Sequence, residues 1–169
     1  MASRREAREW AVQILFQLDL NPPPPNEPIP DSVFENFWEG SYAYDDDTPV
    51  AAKPPHLRMF AEQLVRGVWA KRPQIDEAII AQVRNWKMER IGGVERNILR
   101  LGIYELLHDT NPQPPRVVIN EAIDIAKYFG AAGSGKFVNG ILDAIRKNGK
   151  AGIRESGSSE VQEWSPRKE

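Results

Sequence analysis

Cysteine is absent from this 169-residue chain, and histidine occurs only twice. Without thiols there is no disulfide framework, no cysteine nucleophile and no cysteine-based zinc site, a composition that fits a reducing cytoplasm. No apolar run approaches the roughly 20 residues that span a bilayer. The opening MASRREAREW has basic residues but lacks the uninterrupted apolar segment of a secretory signal. Charge of either sign is nearly balanced, at a formal −2. That total says little about partners, because affinity for nucleic acid depends on where basic residues cluster. Strand-like alternation and internal repeats are also missing. What remains is 41% apolar and 27% charged. Such a chain suits one domain, or two small subdomains sharing a core, burying roughly 70% of its unfolded surface.

Helical periodicity carries the organisation. In residues 3–20, SRREAREWAVQILFQLDL, the apolar positions Ala7, Ala11, Ile14, Leu15 and Leu18 recur at helical spacing, and Ser3 with Glu6 makes a capping box. NPPPPNEPIP, residues 21–30, cannot continue that helix and reads as a stiff, extended connector. A short helix is expected over 32–42 and a loop over 45–55. A strong helix follows over 56–71, ended near Pro73, with a separate one over 75–86. Gly92 and Gly93 break the chain ahead of VERNILRLGIYELLHD, which is apolar on more than one face and so suits a central buried helix. VVINEAIDIAKYF and KFVNGILDAIRK supply two more. The fold class expected is all-α, with six or seven helices. From Asn148 onward the chain is polar and rich in glycine and serine, which predicts a disordered tail.

One stretch invites a nucleotide-binding reading. In FGAAGSGKFVNG, Gly130, Gly135 and Lys136 match the frame whose backbone N–H groups and lysine cradle phosphates. That loop must join a strand to a helix and needs Ser or Thr after the lysine to hold magnesium. Here the preceding NEAIDIAKYF is helical and Phe137 follows the lysine, so a helix-to-helix turn is expected. Gly130 would end one helix in a left-handed conformation and Ser134 would cap the next. Lys136 and the free N–H groups of a helix start still suit a phosphate oxygen, which need not belong to a nucleotide cofactor.

The first helix also offers a binding face. Steps of about 100° per residue place Trp10, Ile14, Ala7, Leu18, Ala11 and Leu15 on a core arc. Arg8, Val12, Arg5 and Phe16 fall on the adjoining arc, with Asp19 at its end and Arg4 at its border. Arginines beside an exposed aromatic are the mixture single-stranded RNA recognition uses, guanidinium to phosphate and ring to base. The alternative is a solvated charged face with Arg5 and Glu9 paired along the helix. Other chemistry has little support. His56 and His108 sit at helix ends, where solvated or capping roles are commoner than catalysis. Asp45, Asp46 and Asp47 lack a calcium-binding frame, and no local signature suggests a catalytic triad. Asn120 and Glu121 form a hydrogen-bonding patch on a helix flank that would suit a partner.

RREAREWAVQILFQLD, VERNILRLGIYELL and PPRVVINEAIDIAKYFGAAGSGKFVNGILDAI together resemble the NusB family of bacterial transcription antitermination factors. The match covers about half the chain in the right order, and VINEAI followed by KFVNGILD is highly specific. The resemblance implies a helical fold of about seven helices in two packed subdomains over residues 1–148, with 149–169 as the tail. It implies binding to the boxA element of nascent ribosomal RNA together with NusE, a small-subunit ribosomal protein, in an antitermination complex with RNA polymerase. It implies no enzymatic activity, no cofactor, no metal and a cytoplasmic location, and leaves monomer or homodimer open. Carried residue by residue, RNA contacts fall on Arg4, Arg5, Arg8, Phe16, Phe129, Lys136 and Phe137. Glu95 falls on the partner-facing side, alongside the patch of Asn120 and Glu121.

Two departures stand out. The family commonly has an acidic residue where this chain has Gly133, and the proline-rich and acidic stretch 21–55 resembles nothing specific. A related reading is the RNA-binding module that precedes ribosomal-RNA cytosine methyltransferases. This chain shows no methyltransferase domain, which argues against it. A small nucleotide hydrolase rests on the Gly130–Lys136 frame alone.

Overall fold

Ser3 opens the first helix: its hydroxyl accepts the Glu6 N–H at 3.4 Å, and α1 then runs Arg4–Leu20. The structure is a computed structural model that describes residues 3–40, 48–83 and 87–150, with residues 149 and 150 described by their backbone alone. Within them are six α-helices and two short 3-10 turns, Val50–Ala52 and Met88–Arg90. The prolines after Asn21 stop α1. The connector is not uniformly extended, since Pro24 O accepts the Glu27 N–H and Asn26 takes a positive φ of 65°. Asn tolerates that region better than most residues. Helix α2, Asp31–Gly40, buries Phe34, Phe37 and Trp38, and Trp38 meets the edge of Trp10 at 5.8 Å between ring centroids. Lys53, after the first 3-10 turn, ties this segment to α1 through Glu6 at 3.3 Å. The acidic triplet 45–47 and the ends of the expected helices at Tyr42 and Trp86 lie outside the described residues, as does the expected tail beyond 150.

The expected break at Pro73 does not occur. A single helix, α3, spans Pro55–Gln82 with Pro73 inside it. An internal proline costs about 3 kcal/mol through a lost hydrogen bond and a steric clash. Leu57, Ala61, Leu64 and Val68 begin a buried stripe that Ile75 and Ile79, both at 0% exposure, continue. Each isoleucine contributes about 1.5–3 kcal/mol by burial, so the pair outweighs the proline. Pro73 itself points to solvent. Pro73→Ala is therefore expected to stabilise the fold by about 1–2 kcal/mol, the restored helical geometry being partly offset by greater freedom of the unfolded chain. Urea unfolding should show a raised midpoint with an unchanged slope; a lowered midpoint would show that the proline fits its site.

Helix α4, Gly93–Leu107, is the central element: Ile98, Leu99, Leu101, Gly102 and Ile103 are all buried, and the helix touches α1, α3, α5 and α6. Leu142 of α6 lies so close to Gly102 that an added Cβ would be 2.8 Å from its Cδ1. Helices α5, Pro115–Phe129, and α6, Ser134–Lys150, form a hairpin against α4. The apolar residues of both halves of the chain join in one continuous core. Asp19, at the end of α1, anchors the halves to each other. Its carboxylate accepts from Arg96 at 3.0 Å, Asn97 at 2.9 Å and Arg100 at 2.7 Å, and Arg100 reaches on to Asp76 of α3 at 2.8 Å. Burial alone would push the Asp19 carboxyl up, but the hydrogen bonds from Arg100 and Asn97 hold it below its ordinary value. Among the described residues, no helix is long and apolar enough to cross a membrane.

Candidate nucleic-acid interface

The core arc read from α1 is all buried: Ala7, Trp10, Ala11, Ile14, Leu15 and Leu18. The adjoining arc divides. Arg4 and Arg5 are exposed, and Phe16 is half-buried with its ring against Gly93 at the start of α4. Arg8 and Val12 are buried. Arg8 is only 3% exposed and its guanidinium grips Glu105 of α4, with contacts of 2.9–3.1 Å from Nε and Nη2. It is not the exposed cation that the helical projection anticipates. Burial pushes the Glu105 carboxyl up, against the opposing pull of the Arg8 hydrogen bond.

Arg5 feels the charge of Glu9 on the same helix, as the alternative reading had it, but its hydrogen bonds go elsewhere. It crosses to α5, donating to Glu121 from Nε at 2.7 Å and to Asp124 from Nη2 at 2.9 Å. The Glu121 hydrogen bond raises Arg5, and the same bond lowers Glu121. Glu121 is thus engaged within the chain, whereas Asn120 beside it is exposed.

From Glu121, α5 runs on to Phe129 and a turn that α4 holds from below. Glu95 is 5% exposed, and its Oε1 accepts the Ser134 hydroxyl at 2.5 Å and the Ala131 N–H at 3.2 Å. This corrects two expectations. Glu95 does not present itself to a partner, and the Ser134 hydroxyl donates to Glu95 instead of capping α6. A third correction concerns the glycines. Gly130 is extended, at φ −90° and ψ 174°, and the positive φ of 88° belongs to Gly133. Gly130 is required for space, since a Cβ there would lie 2.6 Å from the Ala126 carbonyl oxygen. The Gly130–Lys136 frame therefore connects two helices, without the strand a nucleotide phosphate loop needs.

At this end of the molecule Lys136 is exposed on the first turn of α6, where backbone N–H groups have no intrahelical acceptor. Phe137 points inward at 7% exposure, whereas Phe129 is half-buried with its ring edge-on to Tyr128 at 4.9 Å. Two residues that the sequence reading passed over belong here. Tyr128 is 53% exposed, and the stem of Lys127 lies across Gly135, whose added Cβ would be 3.2 Å from Lys127 Cγ. Only the fold across the turn brings Lys127 against Gly135, the neighbour of Lys136 in the chain. Of the two histidines, His56 is exposed and His108 caps α4, with burial and Lys71 lowering its pKa. Among the described residues no group of acidic or histidine side chains is arranged to hold a metal.

Arg4 and Phe16 lie twelve residues apart on α1, or about 18 Å at the helical rise. Exposed arginines thus stand at the start of α1, and exposed lysines with Tyr128 and Phe129 stand around the turn between α5 and α6. Exposed cations and rings of this kind are the groups that meet phosphates and bases in nucleic-acid-binding proteins. The NusB family profile matches residues 5–147. Among curated relatives, "Transcription antitermination protein NusB" of Anaeromyxobacter dehalogenans is 43% identical over 146 residues, covering 86% of this chain and 92% of that protein. The protein of the same name from Nitratidesulfovibrio vulgaris is 38% identical over 145 residues, 86% and 88% of the two chains. Among solved structures, NusB of T. maritima superposes with a TM-score of 0.67 at 34% identity, covering 86% and 92% of the chains. A chain from a crystal structure of antitermination factors NusB and NusE in complex with dsRNA does so with a TM-score of 0.69 at 30% identity, over 85% and 96%. The chain belongs to the NusB family of transcription antitermination proteins.

Proposed function

We propose that this chain binds a boxA-like element of nascent ribosomal RNA together with NusE, as an adaptor without catalysis of its own, within a cytoplasmic antitermination complex containing RNA polymerase. Residues 1–148 form the RNA-binding domain in this reading, and 149–169 lie outside it. The family match across residues 5–147 carries the proposal, and the solved assembly of the relatives NusB and NusE with RNA supports it. Arg4, Arg5 and Lys136 meet phosphates, while Phe16 and Phe129 meet bases. Arg8, Phe137 and Glu95 act from beneath, by fixing the surfaces that bear those contacts. Asn120 is the exposed member of the partner patch.

The test is binding of boxA-like and scrambled oligonucleotides, single- and double-stranded, with and without NusE. Sequence-selective binding that NusE strengthens is expected. Equal affinity for boxA-like and scrambled RNA under both conditions would sink the proposal. Arg4→Ala, Arg5→Ala should flatten the dependence of log K on log salt by about 0.7 per lost single-strand phosphate contact. Arg8 is left out because its loss would disturb the fold. An unchanged slope would return Arg4 and Arg5 to the role of a solvated face.

Gly133 offers a smaller, local check. An exposed charge near phosphate is worth on the order of 1 kcal/mol or less, so Gly133→Asp should weaken binding several-fold at low salt and less as salt rises. The positive φ makes any side chain there costly, so Gly133→Asn is the reference, after both variants are shown to melt alike. Equal affinity of the two at low salt would mean that the turn does not face RNA.

A further inference from the structure

We infer that the groove at the start of α1 is a pocket for one unpaired RNA nucleotide whose base carries an exocyclic amino group. The inference rests on the RNA-binding reading above and extends it beyond the arginine face. The groove lies between the first turn of α1, the first half of α3 and the segment after α4, with a volume of about 310 Å³ and a lining that includes Arg4, Phe60, Gln63, Tyr104, Asp109 and Asn111. That volume is at the lower end for ligand sites, which begin at about 300 Å³, and it suits one nucleoside.

The guanidinium carbon of Arg4 sits 5.1 Å from the centre of the Phe60 ring, and that of Arg8 sits 5.5 Å away. Arg8 has its counter-charge in Glu105, whereas Arg4 is exposed and no described carboxylate forms an ion pair with it. A guanidinium resting on an aromatic ring offers both a plane for a base and a charge for its phosphate. The Asp109 Oδ1 accepts the Asn111 N–H at 3.0 Å. Its second oxygen is an acceptor for an amino group, as carboxylates are toward the cytosine N4 amine. The side-chain amides of Gln63 and Asn111, both on exposed residues, add donors and acceptors for a base edge. Uracil has no exocyclic amine and would set a carbonyl against the carboxylate, so adenine, cytosine or guanine should be preferred. Leu57, Met59 and Leu64 also line the groove and supply apolar surface for the face of a base.

The experiment uses the full chain and single-stranded boxA-like oligonucleotides in which one position at a time is abasic. One position should lose about tenfold or more in affinity, the size of a lost base-stacking contact. In Gln63→Ala, Asn111→Ala that penalty should shrink at this position alone. Asp109→Asn, which keeps the acceptor for the Asn111 N–H, should reduce discrimination against uracil there while other positions stay unchanged. A wild-type chain that binds RNA with no abasic penalty coupled to these substitutions would overturn the pocket and leave the proposed function intact. An unchanged RNA profile with weakened NusE binding would overturn it too, assigning the groove to protein. Failure of the wild-type chain to bind any RNA would overturn both readings.

Discussion

Arg8→Ala is expected to destabilise the fold by about 3–5 kcal/mol, because removing one partner of a buried ion pair strands the other charge. Arg8 and Glu105 are 3% and 2% exposed, and their hydrogen bonds join α1 to the central helix. The effect should depend on pH with a defined sign. The folded chain holds the Glu105 carboxyl above its ordinary value, chiefly by burial, so the folded state binds its proton more readily than the unfolded one does. That group's unfavourable contribution is fully present above its folded pKa and shrinks as pH falls through it. Without Arg8 the folded pKa should rise further, so the deficit should be largest near neutrality and narrow on acidification. Asp19 and Glu121 have lowered pKa values and stabilise the fold above their unfolded pKa; that stability is lost as pH falls through their folded values. The quantity to follow is therefore the difference between variant and wild type, by urea unfolding at several pH values. Arg8→Met, Glu105→Leu should recover much of the loss, since apolar replacement of a whole buried pair is often neutral or favourable. A deficit below about 1 kcal/mol at neutral pH would assign Arg8 to the surface class of ion pairs.

The same pair shows where the sequence was legible and where it was not. The six-residue core arc of α1 followed from period alone, because helical spacing fixes which side chains share a face. The projection could not say what lies across from the neighbouring arc. Arg8 is buried because Glu105, 97 residues away, meets it, and no local pattern encodes that distance. Pro73 misled for the opposite reason. The local signal for a break was correct as a propensity, and the buried stripe ending in Ile75 and Ile79 overrode it. At the turn after α5, glycines and a helix start were readable as composition. Which glycine needs a positive φ was not, since Gly130 and Gly133 differ in what surrounds them. Family resemblance alone placed Glu95 on the partner-facing side, and no local pattern shows that it is buried. Its position is explained by the hydroxyl and amide it satisfies, 39 and 36 residues downstream.

Glu95→Ala is expected to cost about 2–4 kcal/mol, since hydrogen bonds to a charged group are worth about 1.5–3 kcal/mol each and a buried hydroxyl and a part-buried amide lose their acceptor. The released donors are the Ser134 hydroxyl and the Ala131 N–H. Both belong to the turn that orients the first helical residues of α6 and hence Lys136. Gly92 adds a constraint of its own, because a Cβ there would run into the Glu95 Oε2. The carboxylate is thus held between the glycine pair that opens α4 and the turn it supports. Hydrogen exchange at the Ala131 amide should accelerate sharply in the variant, and RNA affinity should fall several-fold as the Lys136 end loses its fixed geometry. Glu95→Gln keeps one acceptor oxygen, so it should exchange more slowly than Glu95→Ala and bind RNA more tightly. These readouts separate support of the turn from direct contact with NusE, the role that family resemblance assigned to this position. A contact residue would weaken NusE binding when changed to Gln and leave the Ala131 amide as protected as before. A supporting residue alters exchange first, with both binding partners affected only as far as the turn is loosened.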